Sequence, residues 1–167
     1  MVHDSATGNL YGTTSYAING GSRVVYKLDA DGNYTVLHRF PERIFPDGVI
    51  LGQDGLYGAT QTGGTAGDGV VYKLDASAHY TVLYNFTGGA DGGAPSGGVI
   101  LDSAGNLYGT TQGGGTGGCG VAYKLDSAGN YTVLYNFAGG VDGRFPQGGV
   151  VRSPAGNLIG TTSQGGA

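Results

Sequence analysis

The stretch "GGVILDSAGNLYGTT", from Gly97 to Thr111, is the best guide to the architecture because the chain nearly repeats it twice. The variants "DGVILGQDGLYGAT" and "GGVVRSPAGNLIGTT" begin at Asp47 and Gly148. A second motif, "YKLD", recurs with its first residues 46 and 51 positions apart, at Tyr26, Tyr72 and Tyr123. Self-similarity on this scale is typical of repeat architectures.

Each complete unit reads as four short strands. In the third unit these are "GVILD", "LYGTT", "VAYKLD" and "YTVLYNF", and two "SAGN" turns join them in pairs. The strands are rich in β-branched and aromatic residues, and the Gly and Asn of the turns suit positive φ. No segment carries a helical period, so the sequence predicts an all-β chain.

The repeat predicts a β-propeller-like array of four-stranded antiparallel blades, because stacking like sheets around an axis buries the apolar faces that one sheet leaves open. Three full repeats plus one extra hairpin form a single domain, 1–167. Its parts are a hairpin at 1–14 and units at about 15–60, 61–111 and 112–162. Three blades do not close a ring, so closure requires oligomerisation, or the chain is a fragment of a longer propeller. A β-trefoil is the alternative fold.

Composition excludes several classes of partner. Lys and Arg total 8, they never cluster, and the net charge is −4, so no phosphate-binding face is expected and nucleic acid is excluded as a partner. No apolar run reaches membrane-spanning length. The start "MVHDSATGNL" has no signal-peptide pattern. Cys119 is the one cysteine, so no disulfide within the chain is expected.

The motif "SGGVILDSAGNLYGTTQGGGTGG…VAYKLDSAGNYTVLYNF" resembles the GloVer tandem repeat of bacterial surface proteins, over essentially the whole chain. "PSGGVILDSAGNLY" resembles, more loosely, a strand pair of NHL and gluconolactonase-like propellers. The first resemblance implies a propeller-like β-repeat with an extracellular or cell-surface location. It implies no defined reaction.

The glycine-flanked carboxylates are the candidate metal ligands. Asp91 and Asp142 hold equivalent places in "GGADG" and "GGVDG", while Asp47 and Gln147 hold equivalent places before a first strand. Oxygen ligands of this kind suit Ca²⁺. The alternative for Asp91 and Asp142 is that each caps a tight turn through its own backbone, the commonest use of Asp-Gly.

Breaks in the repeat give the candidate catalytic residues. His38 stands where the other units have Tyr84 and Tyr135, and Glu42 is the only glutamate. With Asp47 these side chains supply a histidine beside carboxylates, the minimum for general acid–base chemistry. Plain surface variation in a degenerate repeat is the alternative.

Two functions remain open. One is a Ca²⁺-assisted hydrolase of a lactone or ester, by analogy with propellers in which the ion polarises a carbonyl. The other is a non-catalytic extracellular binding or structural module for a glycan or a protein. In either case we expect a homo-oligomer if the chain is not a fragment.

Overall fold

The computed structural model describes residues 1–14 and 21–166, and within these ranges the chain forms strands and turns without a helix. The strands of the first sheet are β1 (Val2–His3), β2 (Leu10–Thr13), β3 (Val24–Leu28) and β4 (Tyr34–Arg39). Those of the second are β5 (Pro46–Gly52), β6 (Gly55–Thr60), β7 (Val70–Leu74) and β8 (Tyr80–Asn85). Those of the third are β9 (Gly93–Leu101), β10 (Leu107–Gly113), β11 (Val121–Leu125) and β12 (Tyr131–Asn136), and a final hairpin consists of β13 (Arg144–Arg152) and β14 (Leu158–Gln164).

Each sheet is an antiparallel meander in which sequential strands pair side by side. Among the described residues, three sheets have four strands and the last has two. The predictions of an all-β chain and of four-stranded antiparallel units are therefore confirmed. The sheets span 2–39, 46–85, 93–136 and 144–164; the unit boundaries drawn from the sequence mark a period whose starting point is arbitrary, and they stay a prediction.

A glycine–tyrosine pair recurs in every four-stranded sheet. The glycine of the "LYG" or "LYGTT" strand lies directly opposite the tyrosine of "YKLD", and the ring covers the glycine: the pairs are Gly12–Tyr26, Gly58–Tyr72 and Gly109–Tyr123. In each pair an added Cβ would lie 2.6 Å from the tyrosine Oη. The aromatic ring thus fills the space that the missing side chain leaves on the pleated surface.

The first strands of consecutive sheets lie against one another. β5 contacts β1 and β9, and β9 contacts β13. Glycines allow the close approach: a Cβ on Gly97, where φ is +78°, would lie 1.9 Å from the Gly149 nitrogen. Ser96 Oγ also donates a buried hydrogen bond of 3.0 Å to the Pro146 carbonyl. Backbone-to-backbone contact at this side of the sheets explains why the motif needs its glycines.

Aromatic rings fill the space between the outer strands. Tyr84 of the second sheet stacks on Tyr131 of the third, with centroids 4.1 Å apart, and Phe86 meets Tyr123 edge to face at 5.2 Å. The first and second sheets repeat this arrangement with Phe40 against Tyr72. The buried apolar residues accordingly form two clusters, one between each pair of consecutive four-stranded sheets.

Candidate functional site

The structure places Asp47, one of the predicted site residues, in a partly buried position. It lies near the start of β5, and Gln61 Nε2 donates a 3.4 Å hydrogen bond to its Oδ1. Its Oδ2 is buried, and no partner for it exists in the described part of the chain. Burial raises the pKa of Asp47 to about 6, against hydrogen bonds from Gln61 and the Gly97 backbone that lower it. The carboxyl therefore gains a proton well above the usual range for Asp.

Two tyrosine hydroxyls share the electrostatic environment of Asp47. Tyr72 and Tyr123 are fully buried, and neither Oη has a hydrogen-bond partner among the residues described. Burial raises the pKa of both phenols, and the negative charge of Asp47 raises each further. Sequence reasoning missed this group of three oxygens. The signal was the recurrence of the "YKLD" tyrosine opposite a glycine, which predicts where its ring lies.

Asp91 lies in the loop between the second and third sheets and bonds to that loop. Its Oδ2 accepts hydrogen bonds from the Thr87 backbone at 2.9 Å and from Tyr84 Oη at 3.0 Å, and its Oδ1 accepts one from the Thr87 hydroxyl. Burial opposes ionisation, but the bonds from Thr87 and Tyr84 outweigh it and lower the pKa of Asp91. The carboxylate thus ties the loop to the last strand of its own sheet.

Asp142 repeats this arrangement one sheet later. Its Oδ2 accepts from the Ala138 backbone at 2.8 Å and from Tyr135 Oη at 3.0 Å. The Ala138 bond is the main cause of the lowered pKa of Asp142. The two equivalent aspartates therefore do the same structural task in two separate loops, and the turn-capping alternative describes their observed contacts.

The turns at the opposite ends of the strands use aspartate in a related way. Asp102 Oδ1 accepts from the backbone nitrogens of Ala104 and Asn106, both at 2.9 Å. Burial raises the pKa of Asp102, but its hydrogen bonds outweigh that effect and bring it to about 2. Backbone bonds to residues two and four positions ahead recur in the turns between third and fourth strands, at Asp29, Asp75 and Asp126.

His38 packs between the first two sheets. Its ring stacks on Tyr80 at 4.4 Å with an interplanar angle of 10° and meets Phe40 edge to face at 4.7 Å. Burial lowers its pKa. Across residues 1–14 and 21–166, no hydrogen bond or ion pair joins His38, Glu42 and Asp47. His38 occupies the place that Tyr84 holds one sheet later.

The remaining predicted residues lie on the surface. Glu42 and Gln147 are both exposed. No group of three or more His, Cys, Asp or Glu side chains that could hold a metal is found in the described ranges. The structure therefore does not gather Asp47, Asp91 and Asp142 around one point, and their roles as calcium ligands stay predictions.

A cleft of about 720 Å³ opens between the second and third sheets, at their tight-turn ends. Its walls include Tyr57, Lys73, Asp54 and Asp102. Lys73 Nζ lies 2.5 Å from Asp54 Oδ2 and 5.6 Å from the centre of the Tyr57 ring. The cleft thus combines an aromatic face with charged hydrogen-bonding groups, a combination suited to a polar ligand.

The fold and these sites define an all-β tandem repeat built from glycine-rich antiparallel sheets. The chain belongs to the Gloeobacter/Verrucomicrobia repeat family, whose model matches residues 1–167, which confirms the resemblance seen in the sequence. No curated protein matches the chain. The part of the chain that the structure describes contains no helix with the length and apolar character of a membrane span.

A solved luciferin-regenerating enzyme is similar in fold. The TM-score is 0.53 at 22% sequence identity, over 93% of this chain and 48% of that chain. The chain therefore spans about half the length of that solved protein. At this identity the similarity concerns the fold alone.

Proposed function

We propose that the chain is a propeller-like array acting as a non-catalytic binding or structural module at the cell surface. The adjacency of the first strands β5, β9 and β13 supports the propeller arrangement, because blades of a propeller meet at a common axis. The repeated aromatic contacts between outer strands support it as well, since each blade covers the face of its neighbour.

The observation that carries the non-catalytic role is the use of the repeated carboxylates. Asp91 and Asp142 are bonded to their own loops, and Asp29, Asp75, Asp102 and Asp126 close tight turns. Catalysis needs polar groups directed at a substrate. In this chain the repeated acidic groups are directed at the protein's own backbone.

The cleft beside Tyr57 is the best candidate for ligand contact, and a glycan is the ligand class that suits it. An aromatic ring offers a stacking face for a sugar, and Lys73 with Asp54 offers a donor and an acceptor beside it. We expect Tyr57→Ala to abolish glycan binding, measured on an immobilised glycan panel. Phe45→Ala, at an exposed ring outside the cleft, is the matched control.

A Ca²⁺-assisted lactone or ester hydrolase is the second candidate, and Asp47 is the observation that favours it. Its buried, unpartnered Oδ2 and its raised pKa are features often seen at functional sites. Asp91, Asp142 and Gln147 would be the other ligands, with His38 and Glu42 as the acid–base pair. Because these side chains do not gather in one group, the ligand set does not fit Ca²⁺.

Calcium titration separates the two candidates. Chelator-stripped protein is titrated with Ca²⁺ by isothermal calorimetry, and the same sample is tested on lactone and ester panels. The module predicts no stoichiometric binding and no hydrolysis. Binding of about one ion per chain, lost in Asp47→Asn and accompanied by hydrolysis, would replace the module with the hydrolase.

A further inference from the structure

The third sheet carries an aromatic pair that is covered in the second sheet but open here. Tyr84 and Phe86 meet edge to face at 5.1 Å and 77°, and Tyr131 with Tyr123 of the next sheet packs on them. Tyr135 and Phe137 have the same mutual geometry, 5.1 Å and 75°. Tyr135 is 48% exposed, so the same aromatic pair is preformed but open.

The edge of β14 lacks a neighbour at the same place. β14 pairs with β13, and no further strand joins it within the part of the chain that the structure describes. Its glycine, Gly160, corresponds to Gly12, Gly58 and Gly109, each of which lies under a tyrosine hydroxyl. The nearest described atoms to a Cβ on Gly160 belong to Gly149 and Val150, so no ring of a described residue covers it.

One cavity joins the two features. A space of about 500 Å³ is lined by Tyr135 and Phe137 on one side and by Gly160, Leu158 and Val150 on the other. In the second and third sheets the equivalent space is filled by the third and fourth strands. The "YKLD" tyrosine of the third strand lies over the glycine, and the "YTV" tyrosine of the fourth strand packs on the aromatic pair. The repeat therefore specifies the occupant: a hairpin of those two strands.

The first sheet presents such a hairpin with its aromatic face open. Tyr26 and Tyr34 stack at 5.3 Å and 28°, nearly as Tyr72 and Tyr80 do at 5.3 Å and 30°. The second pair is covered by Phe40 and His38 of the preceding sheet, whereas Tyr34 is 56% exposed. Consecutive sheets of the chain pack a tyrosine pair of one sheet on an aromatic pair of the other. The open Tyr26–Tyr34 pair and the open Tyr135–Phe137 pair are the two sides of such a contact.

We propose that the β14 edge and the Tyr135–Phe137 face bind the β3–β4 hairpin of a second copy of this chain. Tyr26 of the second copy would lie over Gly160, and its Tyr34 would stack on Tyr135. The partner hairpin adds two strands to β13–β14 by main-chain hydrogen bonding, as in β-strand addition. This inference rests on the proposed repeat array and names its partner.

The exchange requires β13–β14 to take the place of β1–β2 in the second copy. β14 can adopt the register that β2 has with β3, because the two strands are equivalent in the repeat. The corresponding residues are Leu158, Ile159 and Gly160 in β14 and Leu10, Tyr11 and Gly12 in β2. The incoming hairpin is the more extensively paired of the two, since β1 pairs with β2 at two positions and β13 with β14 at five. The reciprocal exchange gives a closed two-fold assembly.

The test is the mass of the full chain by size-exclusion chromatography with light scattering, over a concentration series. We expect a two-copy mass for the wild type, a shift to one copy in Tyr34→Ser and in Tyr135→Ser, and no change in Val82→Ser, an exposed fourth-strand control. Circular dichroism confirms that each variant is folded. A peptide of residues 24–40 should convert the wild-type dimer to complexes of one chain with one peptide. The same peptide with Ser at positions 26 and 34 should leave the two-copy mass unchanged.

Two results would overturn the inference. A one-copy mass for the wild type over the whole series excludes a second copy as the occupant, even if the peptide binds. A two-copy mass that persists in both folded tyrosine variants places the interface elsewhere. Calcium binding or hydrolysis leaves these masses unaffected, so failure of the proposed function and failure of this inference are distinguishable.

Discussion

The Tyr72 ring lies over Gly58, its partner directly across the β6–β7 pair, and the tyrosine Oη would be 2.6 Å from a Cβ on that glycine. The contact crosses from the third strand of the sheet to the second. It joins the two most regular motifs of the sequence, "LYG" and "YKLD". The fixed spacing between the two motifs keeps the glycine directly opposite the tyrosine in the strand pair. The tyrosine ring requires this, because a larger side chain there would occupy its space.

Replacing Gly58 by alanine should destabilise the fold. The new methyl group would clash with the buried Tyr72 ring, and overpacking of this kind costs about 1–3 kcal/mol. Gly48→Ala is the matched control, since it also lies in a strand and a Cβ there meets nothing within 4 Å. Urea unfolding measures both. Equal stability losses in the two variants would show that the ring does not restrict position 58.

Replacing Tyr72 by phenylalanine should stabilise the protein by about 1 kcal/mol, because a buried hydroxyl without a partner carries a desolvation cost that the variant removes. Tyr84→Phe is the contrasting control. It loses the 3.0 Å bond from Oη to Asp91 and should be destabilised by about 1 kcal/mol. Thermal unfolding ranks the two variants against wild type, and a loss of stability in Tyr72→Phe would mean that its hydroxyl is satisfied in solution.

The strands and turns could be predicted from the sequence because their causes are local. The "SAGN" turns and the alternating β-branched residues specify hairpins within about twenty residues. Asp47 could not be placed in this way. Its equivalents in the repeat are Ser96 and Gln147, and of these only Ser96 is buried. The environment of Asp47 depends on Gly97 of the next sheet, a contact absent from any local pattern.

The packing role of His38 could have been predicted from the repeat. It replaces Tyr84 and Tyr135, so an aromatic ring occurs at that position in every unit. That regularity indicates packing more directly than it indicates catalysis, and the stack on Tyr80 agrees with it. Its catalytic role stays a prediction.

Replacing Asp91 by alanine should destabilise the protein by about 1–2 kcal/mol, because Thr87 and Tyr84 lose their hydrogen bonds to a charged acceptor. Asp142→Ala should cost less, since its carboxylate is more exposed and accepts fewer bonds. Melting temperatures are measured in Ca²⁺ and in chelator. A difference between the two buffers that disappears in Asp91→Ala would contradict the capping role and support a metal site.

Replacing His38 by tyrosine should preserve or raise stability, because it restores the ring that the repeat uses to stack between sheets. Burial holds the pKa of His38 below its ordinary value, so the unfolded chain binds the proton more readily and the wild type loses stability as the pH falls below about 6.5. Tyrosine has no such titration. The advantage of the variant in melting temperature should therefore be larger at acidic pH than at pH 8, and an advantage independent of pH would contradict this assignment.

Asp47 should make the protein less stable as the pH rises from about 4 to about 6. Its folded pKa is raised from 3.8 to about 6 by burial, so in this window the folded state holds a proton that the unfolded state has released. Stability is then greatest below the unfolded pKa and is lost as the pH passes through the folded one. The loss is on the order of 2–3 kcal/mol, since one pKa unit corresponds to about 1.4 kcal/mol.

Asp47→Ser, which uses the residue of the equivalent position at Ser96, should remove this dependence. The variant should gain stability over the wild type above pH 6, where the wild-type carboxylate is charged and buried. It should gain little at pH 3.5, where the wild-type carboxyl is mostly protonated in both states. Urea unfolding at pH 3.5 and pH 7.5 measures the two differences, and comparing variant with wild type at each pH cancels the titration of the other acidic groups. An equal effect at both values would show that the Asp47 carboxyl keeps its ordinary pKa in the folded protein.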